Sequence, residues 1–435
     1  VSEPLTEDAL AMTTYIGQGP SWWPARATSG ENRESETIVM EAAEQAGTTN
    51  RRAPEAPART STAATQLVTR PATAPAVKPV EPGFKERLEG RVLIVTGDDA
   101  ENYDDLISRS RSGLIVGGKS APATVRRLAR DRTRMVALDP WQSYTAYATE
   151  TQPFIIDLDD ADQGSFFGAP SLEQHLDTQI ALGAAFAVTP TGVIQAGDTR
   201  PLKAAVKAME RLDRSDTVFH VPLCSACLNA DNLRSLIGIL TRCPHPVAIS
   251  LADRNLDPYS KALPALRQLV VELQYAIAWR IDLAGIDLMA RAGAKAAGIG
   301  VIPSKRAADT PGEKRFATDR RDMYPHVLRA ELLRYVKTSY MADNWYASIH
   351  SPTCRCVVCK GRHIDRYGTD DPSRLEAHRH NVAVLMELVE SVPGIVGSDG
   401  WWNGLVGDAV AEHTALGAAI GGRVKLPASL EAFGS

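Results

Sequence analysis

RVLIVTGDD (Arg91–Asp99), SGLIVGG (Ser112–Gly118) and RMVALD (Arg134–Asp139) open a series of short β-branched runs that decides the fold. PFIIDLDD (Pro153–Asp160), AAFAVT (Ala184–Thr189), TVFHVPL (Thr217–Leu223), PVAISLAD (Pro246–Asp253), YAIAWRID (Tyr275–Asp282) and AGIGVIPS (Ala297–Ser304) continue it. Helix-like intervals separate most of them: APATVRRLARD (Ala121–Asp131), SLEQHLDTQIALG (Ser171–Gly183), PLKAAVKAMERLD (Pro201–Asp213), NADNLRSLIGILTRC (Asn229–Cys243) and SKALPALRQLVVEL (Ser260–Leu273). Apolar strands divided by amphipathic helices build right-handed βαβ units around a parallel sheet. Eight or nine such strands over residues 91–304 fit an α/β fold of the (β/α)8, TIM-type barrel class better than a Rossmann sheet. No G-x-G-x-x-G follows the first strand, and Gly117-Gly118-Lys119 lacks P-loop spacing, so nucleotide-cofactor chemistry is disfavoured.

Outside the barrel the texture changes. Residues 1–88 are rich in Ala, Thr, Pro, Glu and Ser, as in APEAPARTSTAATQ (Ala53–Gln66) and RPATAPAVKPVEPG (Arg70–Gly83). Such a composition cannot offset chain entropy by burial, which predicts a disordered leader. The barrel is then expected over residues 89–340, and a zinc-binding subdomain with an Ala/Gly-rich tail over 341–435. The whole chain has 435 residues, 44% hydrophobic and 23% charged, enough for one large domain plus attachments. Its 6% aromatic content argues against an all-β binding module, and no heptads or membrane-length apolar runs occur. Val1–Trp23 lacks the basic and apolar regions of a signal peptide, so a cytoplasmic location is expected. A formal charge of -4 announces no global attraction to nucleic acid, but Lys305–Lys337 is locally basic. That strip is either a phosphate-contacting surface or a solvated helix face.

The densest chemistry lies in SPTCRCVVCKGRH (Ser351–His363) and RLEAHRHNVAVLMELVE (Arg374–Glu390). Cys354, Cys356 and Cys359 place three thiols on one tight loop, and a fourth ligand would close a tetrahedral Zn²⁺ site. His363, His378 and His380 compete for that role; His380, opening HNVAVLMELVE, would be presented from a helix start. Four protein ligands leave no open position, so the zinc would be structural. Cys224-x-x-Cys227 with Cys243 is either a second metal site or a set of buried barrel-end cysteines. His220 is expected as a core histidine, while Trp279 and Trp401-Trp402 are core residues or stacking faces for a flipped base.

C-x-C-x-x-C followed downstream by His380-Asn381 resembles the zinc subdomain of the tRNA-guanine transglycosylases, which follows a (β/α)8 barrel in that family. Gln152–Asp157 resembles the family's strand bearing a catalytic acid/base, a role the resemblance gives to Asp157. Ser171-Leu172-Glu173 and Leu182-Gly183-Ala184 resemble the helix before its base-recognition strand, and Pro303-Ser304-Lys305-Arg306 its Pro-Thr-Arg. The chain departs from the pattern elsewhere. Asp157-Leu158-Asp159-Asp160 replaces Asp-Ser-Gly-Gly; the base-recognition aspartate falls near Thr191 and the nucleophilic aspartate near Ile299. The Gly-Gly segments fall near Val221–Cys224 and Ser250-Leu251.

Base exchange on a polymer needs a carboxylate that attacks C1′ and a second group that manages protons on the bases. In a barrel both project from strand C-termini. Asp157 fits, Asp159 follows it as a substrate contact, Asp282 is the substitute nucleophile, and Asp198 would recognise the base edge. Aspartates at strand ends also commonly cap the next helix. The resemblance implies a guanine or 7-deazaguanine transglycosylase working through an aspartyl–nucleotide intermediate. Its partners would be tRNA or DNA, a purine or 7-deazapurine base, no membrane, and a second subunit joined through the zinc subdomain as a homodimer or heterodimer. The competing expectation is a non-catalytic paralogue that binds nucleic acid or an enzyme partner. A metal-dependent hydrolase lacks its H-x-H strand signature.

Overall fold

The structure, a computed structural model, describes residues 83–156, 170–252, 258–312, 323–347, 349–392, 394–422 and 424–435. Eight parallel strands form one sheet: β1 (Arg91–Thr96), β2 (Ser112–Val116), β3 (Val136–Leu138), β4 (Ala187–Val188), β5 (Thr217–Leu223), β6 (Val247–Leu251), β7 (Ala276–Ile281) and β8 (Ala296–Gly300). Their order, β3-β2-β1-β8-β7-β6-β5-β4, brings first and last strands together, with Val92 beside Ala297 and Ile94 beside Ile299. The remaining gap is bridged by the Ala185 N–H donating to Val136 O at 2.8 Å, so the barrel is nearly closed. This architecture is consistent with the TIM type.

Eight of the nine apolar runs are barrel strands; PFIID is not. β3 ends at Leu138, and Pro140 turns the chain across the strand ends. The run then lies against the segment leaving β4: Phe154 bridges Thr191 antiparallel, and Ile155 N–H donates to Pro190 O at 2.7 Å. A short β-like run carries no mark of whether its partners are barrel strands or a loop.

Five helices coincide with the expected intervals: α2 (Ala121–Leu128), α3 (Leu172–Ala181), α4 (Arg200–Met209), α5 (Ala230–Leu240) and α6 (Pro258–Glu272). Ser171 and Gln174 form a reciprocal capping box at the start of α3. The structure adds α7 (Ala284–Ala292) and a short α1 (Phe84–Leu88) inside the stretch expected as leader. Phe84 and Leu88 close the N-terminal end of the barrel, Phe84 lying 5.8 Å from Phe186 ring to ring.

Alternation along each strand separates two cores. Leu93, Val95, Ile115, Phe186, Val218 and Ile277 fill the barrel interior, whereas Val92, Ile94, Leu114 and Ile299 face the helices. Toward the C-terminal end the interior turns polar, because the same inward parity reaches Asp139, His220, Ser250 and Trp279.

After the barrel come the hairpin β9 (His326–Arg329) and β10 (Arg334–Lys337), a turn of helix α8 (Thr338–Tyr340), and the small pair β11 (Thr353–Cys354) and β12 (Arg362–His363). The long helix α9 (Asp371–Glu390) crosses β9. The expected tail is instead a helix, α10 (Asp399–Ala419), followed by α11 (Ala428–Gly434). Several glycines lower its intrinsic propensity, but packing overrides them. Buried Trp402 donates to Asp287 on α7 at 2.8 Å, and Arg267 of α6 grips the same carboxylate with two bonds of 2.8 Å. No helix among the described residues is long and apolar enough to cross a membrane.

Candidate metal centre and barrel mouth

Cys354 ends β11, and the chain then turns back on itself. Gly361 N–H donates to Cys354 O at 2.8 Å, Lys360 N–H to Cys356 O at 2.9 Å, and Cys359 N–H reaches Cys356 Sγ at 3.4 Å. Two consecutive left-handed residues, Lys360 (φ 52°) and Gly361 (φ 86°), make the turn tight enough to bring three sulfurs together. The fourth donor comes from α9: His380 Nδ1 lies 3.6, 3.5 and 3.3 Å from the sulfurs of Cys354, Cys356 and Cys359. All four donor atoms fall within 4.8 Å of one another. A tetrahedral ion bound at about 2.3 Å to sulfur and about 2.0 Å to nitrogen needs donors roughly 3.6 Å apart. The residues therefore fit a metal ion.

His380 sits in the middle of α9 and not at a helix start; the helix begins at Asp371, where Asp370 caps it through Ser373 N–H. The neighbouring groups fix its tautomer. Leu328 O can only accept, so the Nε2 facing it at 3.0 Å carries the proton and Nδ1 presents its lone pair to the sulfurs. Asn381 completes the attachment: its Oδ1 accepts from Leu328 N–H at 2.6 Å, while its Nδ2 donates to His326 O at 2.8 Å and Val301 O at 3.0 Å. Val301 is the first residue beyond β8. The His-Asn dipeptide thus ties the metal centre to the hairpin and to the barrel. Arg366 places both terminal nitrogens 3.6 Å from Cys359 Sγ, and Tyr367 Oη lies 3.1 Å from it. Sulfur neighbours hold the Cys359 thiol far below its ordinary range and push that of Cys354 far above. Burial disfavours a charge on His380, but Cys356 and Cys359 outweigh it and raise the ring to about 9, so the lone pair on Nδ1 is the one a metal gains by displacing the Nδ1 proton. Three sulfurs and an imidazole nitrogen so closely spaced are the chemistry of a cation site.

The other two histidines stand apart. His363 is exposed, with Nδ1 2.7 Å from Ser351 O. His378 faces Asp99 and Arg306, and burial lowers it to about 4. Among the described residues Cys224, Cys227 and Cys243 belong to no group of metal donors and to no disulfide, and Cys227 Sγ contacts Ile194 O at 3.5 Å.

Of the expected carboxylates, Asp198 and Asp282 are among the described residues and line different cavities. Asp157 and Asp159 lie outside the described residues. Asp198 is on the surface, gripping Arg200 through two bonds of 2.9 Å and accepting its N–H at 3.1 Å. Asp282 accepts from Ala284 N–H at 2.8 Å, capping the start of α7, and lines a cavity of about 820 Å³ at the barrel rim. Arg306, Tyr335, Lys337, Lys425 and Phe433 also line it. Two cations of the basic strip are structural. Arg306 is buried over the Tyr335 ring at 3.4 Å, and buried Arg329 pairs with Glu331 and Tyr346; residues 313–322 lie outside the description.

The side chain that occupies the mouth is Asp139, at the end of β3, fully buried. Its Oδ2 accepts from Arg280, and its Oδ1 from Tyr144 Oη at 2.6 Å and Trp279 Nε1 at 3.3 Å. Burial works against its charge, but Arg280 and then Lys305 hold it below the usual carboxylate range. Arg280 is the extra residue of an irregularity in β7, in a left-handed backbone conformation (φ 49°) that turns it inward beside Trp279. Its Nη2 and Nε donate to Ser304 O at 2.8 Å and Ala307 O at 2.9 Å. His220 completes the layer, with Nε2 2.9 Å from Ser250 Oγ; burial keeps it neutral, lowering it to about 3.

Asp139 was legible by the criterion that selected Asp157, since RMVALD also ends a β-branched run on an aspartate. Parity also revises the position near Ile299. That side chain faces α7, 3.5 Å from where a Gly285 Cβ would lie, while Gly298 and Gly300 take the inward positions of β8. A Cβ on Gly300 would meet Lys305 backbone at 2.3 Å, so β8 has room for no inward carboxylate there.

Comparison with protein families, with curated proteins and with solved structures returned no match.

Proposed function

We propose that the chain is a divergent guanine or 7-deazaguanine transglycosylase-type protein that works on tRNA or DNA, with a structural zinc ion held by Cys354, Cys356, Cys359 and His380. The observation that carries this is the His380-Asn381 attachment: one residue completes the donor set while the next bonds the exit of β8. A metal lobe keyed to a barrel rim is the architecture that the sequence resemblance implies. Three thiolates and an imidazole favour zinc over harder ions. The ion would order Ser351–His363 against α9 and take no part in the chemistry. A cytoplasmic location, where thiols stay reduced, goes with this reading.

In the exchange, a carboxylate oxygen attacks C1′ and the C1′–N9 bond breaks, the base leaving with that electron pair and a proton from an acid. The incoming base then attacks C1′, expels the carboxylate and loses its N9 proton. Asp282 at the rim is our nucleophile, Asp139 its partner at the mouth, and Asp157 a further acid/base. Association of two subunits through the zinc lobe belongs to the same proposal.

A second reading, a non-catalytic nucleic-acid or partner-binding paralogue, draws on the Arg280–Asp139 ion pair and on the inward glycines of β8. Incubating the protein with labelled guanine and either tRNA or duplex DNA separates the two. Incorporation that disappears in Asp282→Asn supports exchange. Tight polymer binding without incorporation leaves the second reading standing. Metal analysis that returns no zinc removes the basis of both.

A further inference from the structure

Cys224 and Cys227 meet as a pair where β5 ends. Cys224 follows the last residue of the strand, and a single turn of 3-10 helix (Ser225–Leu228) carries Cys227. The Cys227 N–H donates to Cys224 O at 2.9 Å, which closes a four-residue turn between them. Such a turn holds its first and last Cα atoms within about 7 Å. A disulfide spans Cα atoms about 4.4–6.8 Å apart, and side chains three residues apart on 3-10 geometry eclipse one another. One carbonyl touches both residues: Ile194 O accepts from Cys224 N–H at 3.0 Å and lies 3.5 Å from Cys227 Sγ. The backbone is therefore already set for a bond between the two sulfurs, although neither is in a disulfide.

The two sulfurs differ in access. Cys227 is 4% exposed, whereas Cys224 is only half-buried. Cys224 also packs against the apolar cluster of Tyr144, Val193, Ala252 and Ala308, whose Tyr144 donates to Asp139 at the barrel mouth. An accessible sulfur beside a buried one suits thiol–disulfide exchange, the first attacking and the second resolving. Cys243 takes no part. It lies beyond the far end of α5, whose 11 residues span roughly 16 Å, and burial pushes its thiol up to about 11. The two cysteines that remain are too few for a metal centre but complete for a redox pair.

We infer that Cys224 and Cys227 form a redox-active dithiol at the barrel mouth, oxidised reversibly by small-molecule disulfides. The Cys224 thiolate attacks one sulfur of a disulfide RSSR; the S–S bond breaks, and RS⁻ leaves and takes up a proton. Cys227, giving up its proton, then attacks the Cys224 sulfur and expels the second RS⁻, which is protonated in turn. The pair loses two electrons and two protons, and RSSR becomes two RSH. Excess RSH reverses both steps. In a compartment that keeps thiols reduced, such a pair rests as the dithiol and its disulfide is transient. None of these steps needs the polymer, the base or the metal ion of the proposed function.

Peptide mapping of the full chain tests it. Trypsin releases Ser215–Arg234, which contains Cys224 and Cys227 and no other cysteine. After equilibration with oxidised glutathione, acid quenching and alkylation, this peptide should be lighter by two hydrogens than the dithiol and carry no alkyl group. Dithiothreitol added before alkylation should return it to the doubly alkylated form, and Cys243 should stay a thiol throughout. Cys227→Ser should stop at a glutathione adduct on Cys224. Cys224→Ser should acquire about tenfold less adduct, because its remaining sulfur is buried. A peptide that stays a dithiol in excess oxidised glutathione overturns the inference. So does a lasting glutathione adduct on the parent protein with no internal disulfide, since Cys227 would then not resolve it. Equal adducts on the two variants overturn the division of roles. The parent protein alone decides whether the disulfide forms, so a variant that fails to fold leaves that result intact. Absence of base exchange leaves it intact as well.

Discussion

The metal centre and the barrel mouth are assembled in opposite ways. Three of the four metal donors lie within six residues of one another, and only His380 arrives from elsewhere. The mouth draws Asp139, His220, Ser250, Trp279 and Arg280 from four different strands or their ends, with Tyr144 from the following turn. A cluster built from one loop advertises itself by spacing. A cluster built by strand parity shows nothing until each strand is known. The two also differ in what holds them, since a bound ion concentrates its stabilisation in a few bonds, whereas a buried polar network distributes it.

The largest effect should follow loss of a donor. Cys359→Ala is expected to lose the metal, measured by elemental analysis, and to unfold the lobe from Thr353 to His363; a chelator should do the same to the parent protein. Thermal unfolding that shows metal retained and an unchanged midpoint would dissolve the contrast between the two regions.

Removing one partner of the mouth comes next. Arg280→Met strands a buried carboxylate, and such an uncompensated charge costs about 3–5 kcal/mol. The double variant Arg280→Met/Asp139→Asn should recover part of that loss in urea denaturation. If it recovers nothing, the network, and not the pair, holds the mouth.

The pH dependence has a definite sign. His220 is neutral when folded, lowered to about 3 by burial beside Asp139 and Arg280, and an unfolded histidine titrates near 6.5. The unfolded chain therefore binds the extra proton. Stability is full above about pH 6.5 and falls by up to about 1.4 kcal/mol per pH unit below it, until pH nears the folded value. Asp139, also lowered, adds a loss in the same direction at more acid pH. Unfolding of His220→Gln followed from pH 7 to 4 should show a shallower slope; an identical slope would place the titration elsewhere.

Asn381→Ala removes three bonds to buried main chain and should cost about 1–3 kcal/mol while leaving the metal bound. Metal lost along with stability would show that the attachment and the donor set are one unit. The smallest effect is expected at Asp198→Asn. That carboxylate is exposed beside exposed Arg200, so both the unfolding midpoint and base exchange should be unchanged. A loss of exchange there would restore Asp198 as a base contact.

The order of elements was written in the sequence because burial on both faces leaves continuous apolar runs, and because helices between parallel strands leave amphipathic intervals. The cysteine loop was written there too, since its ligands are chain neighbours. The sequence did not say which run was a false strand: PFIID and RMVALD look alike locally, and only the pairing of β3 with β2 separates them. Nor did it say which face Ile299 takes, because a shift of one residue reverses inside and outside. His380 was already favoured by the sequence as the fourth donor; the path of α9 over the hairpin shows how a mid-helix position reaches the cysteine loop. The meeting of Asp139 with Arg280 required closure of the sheet, which sets side by side residues 141 apart in the chain. Local chemistry is encoded in neighbours along the chain; a site at a barrel mouth exists only once distant strands close a ring.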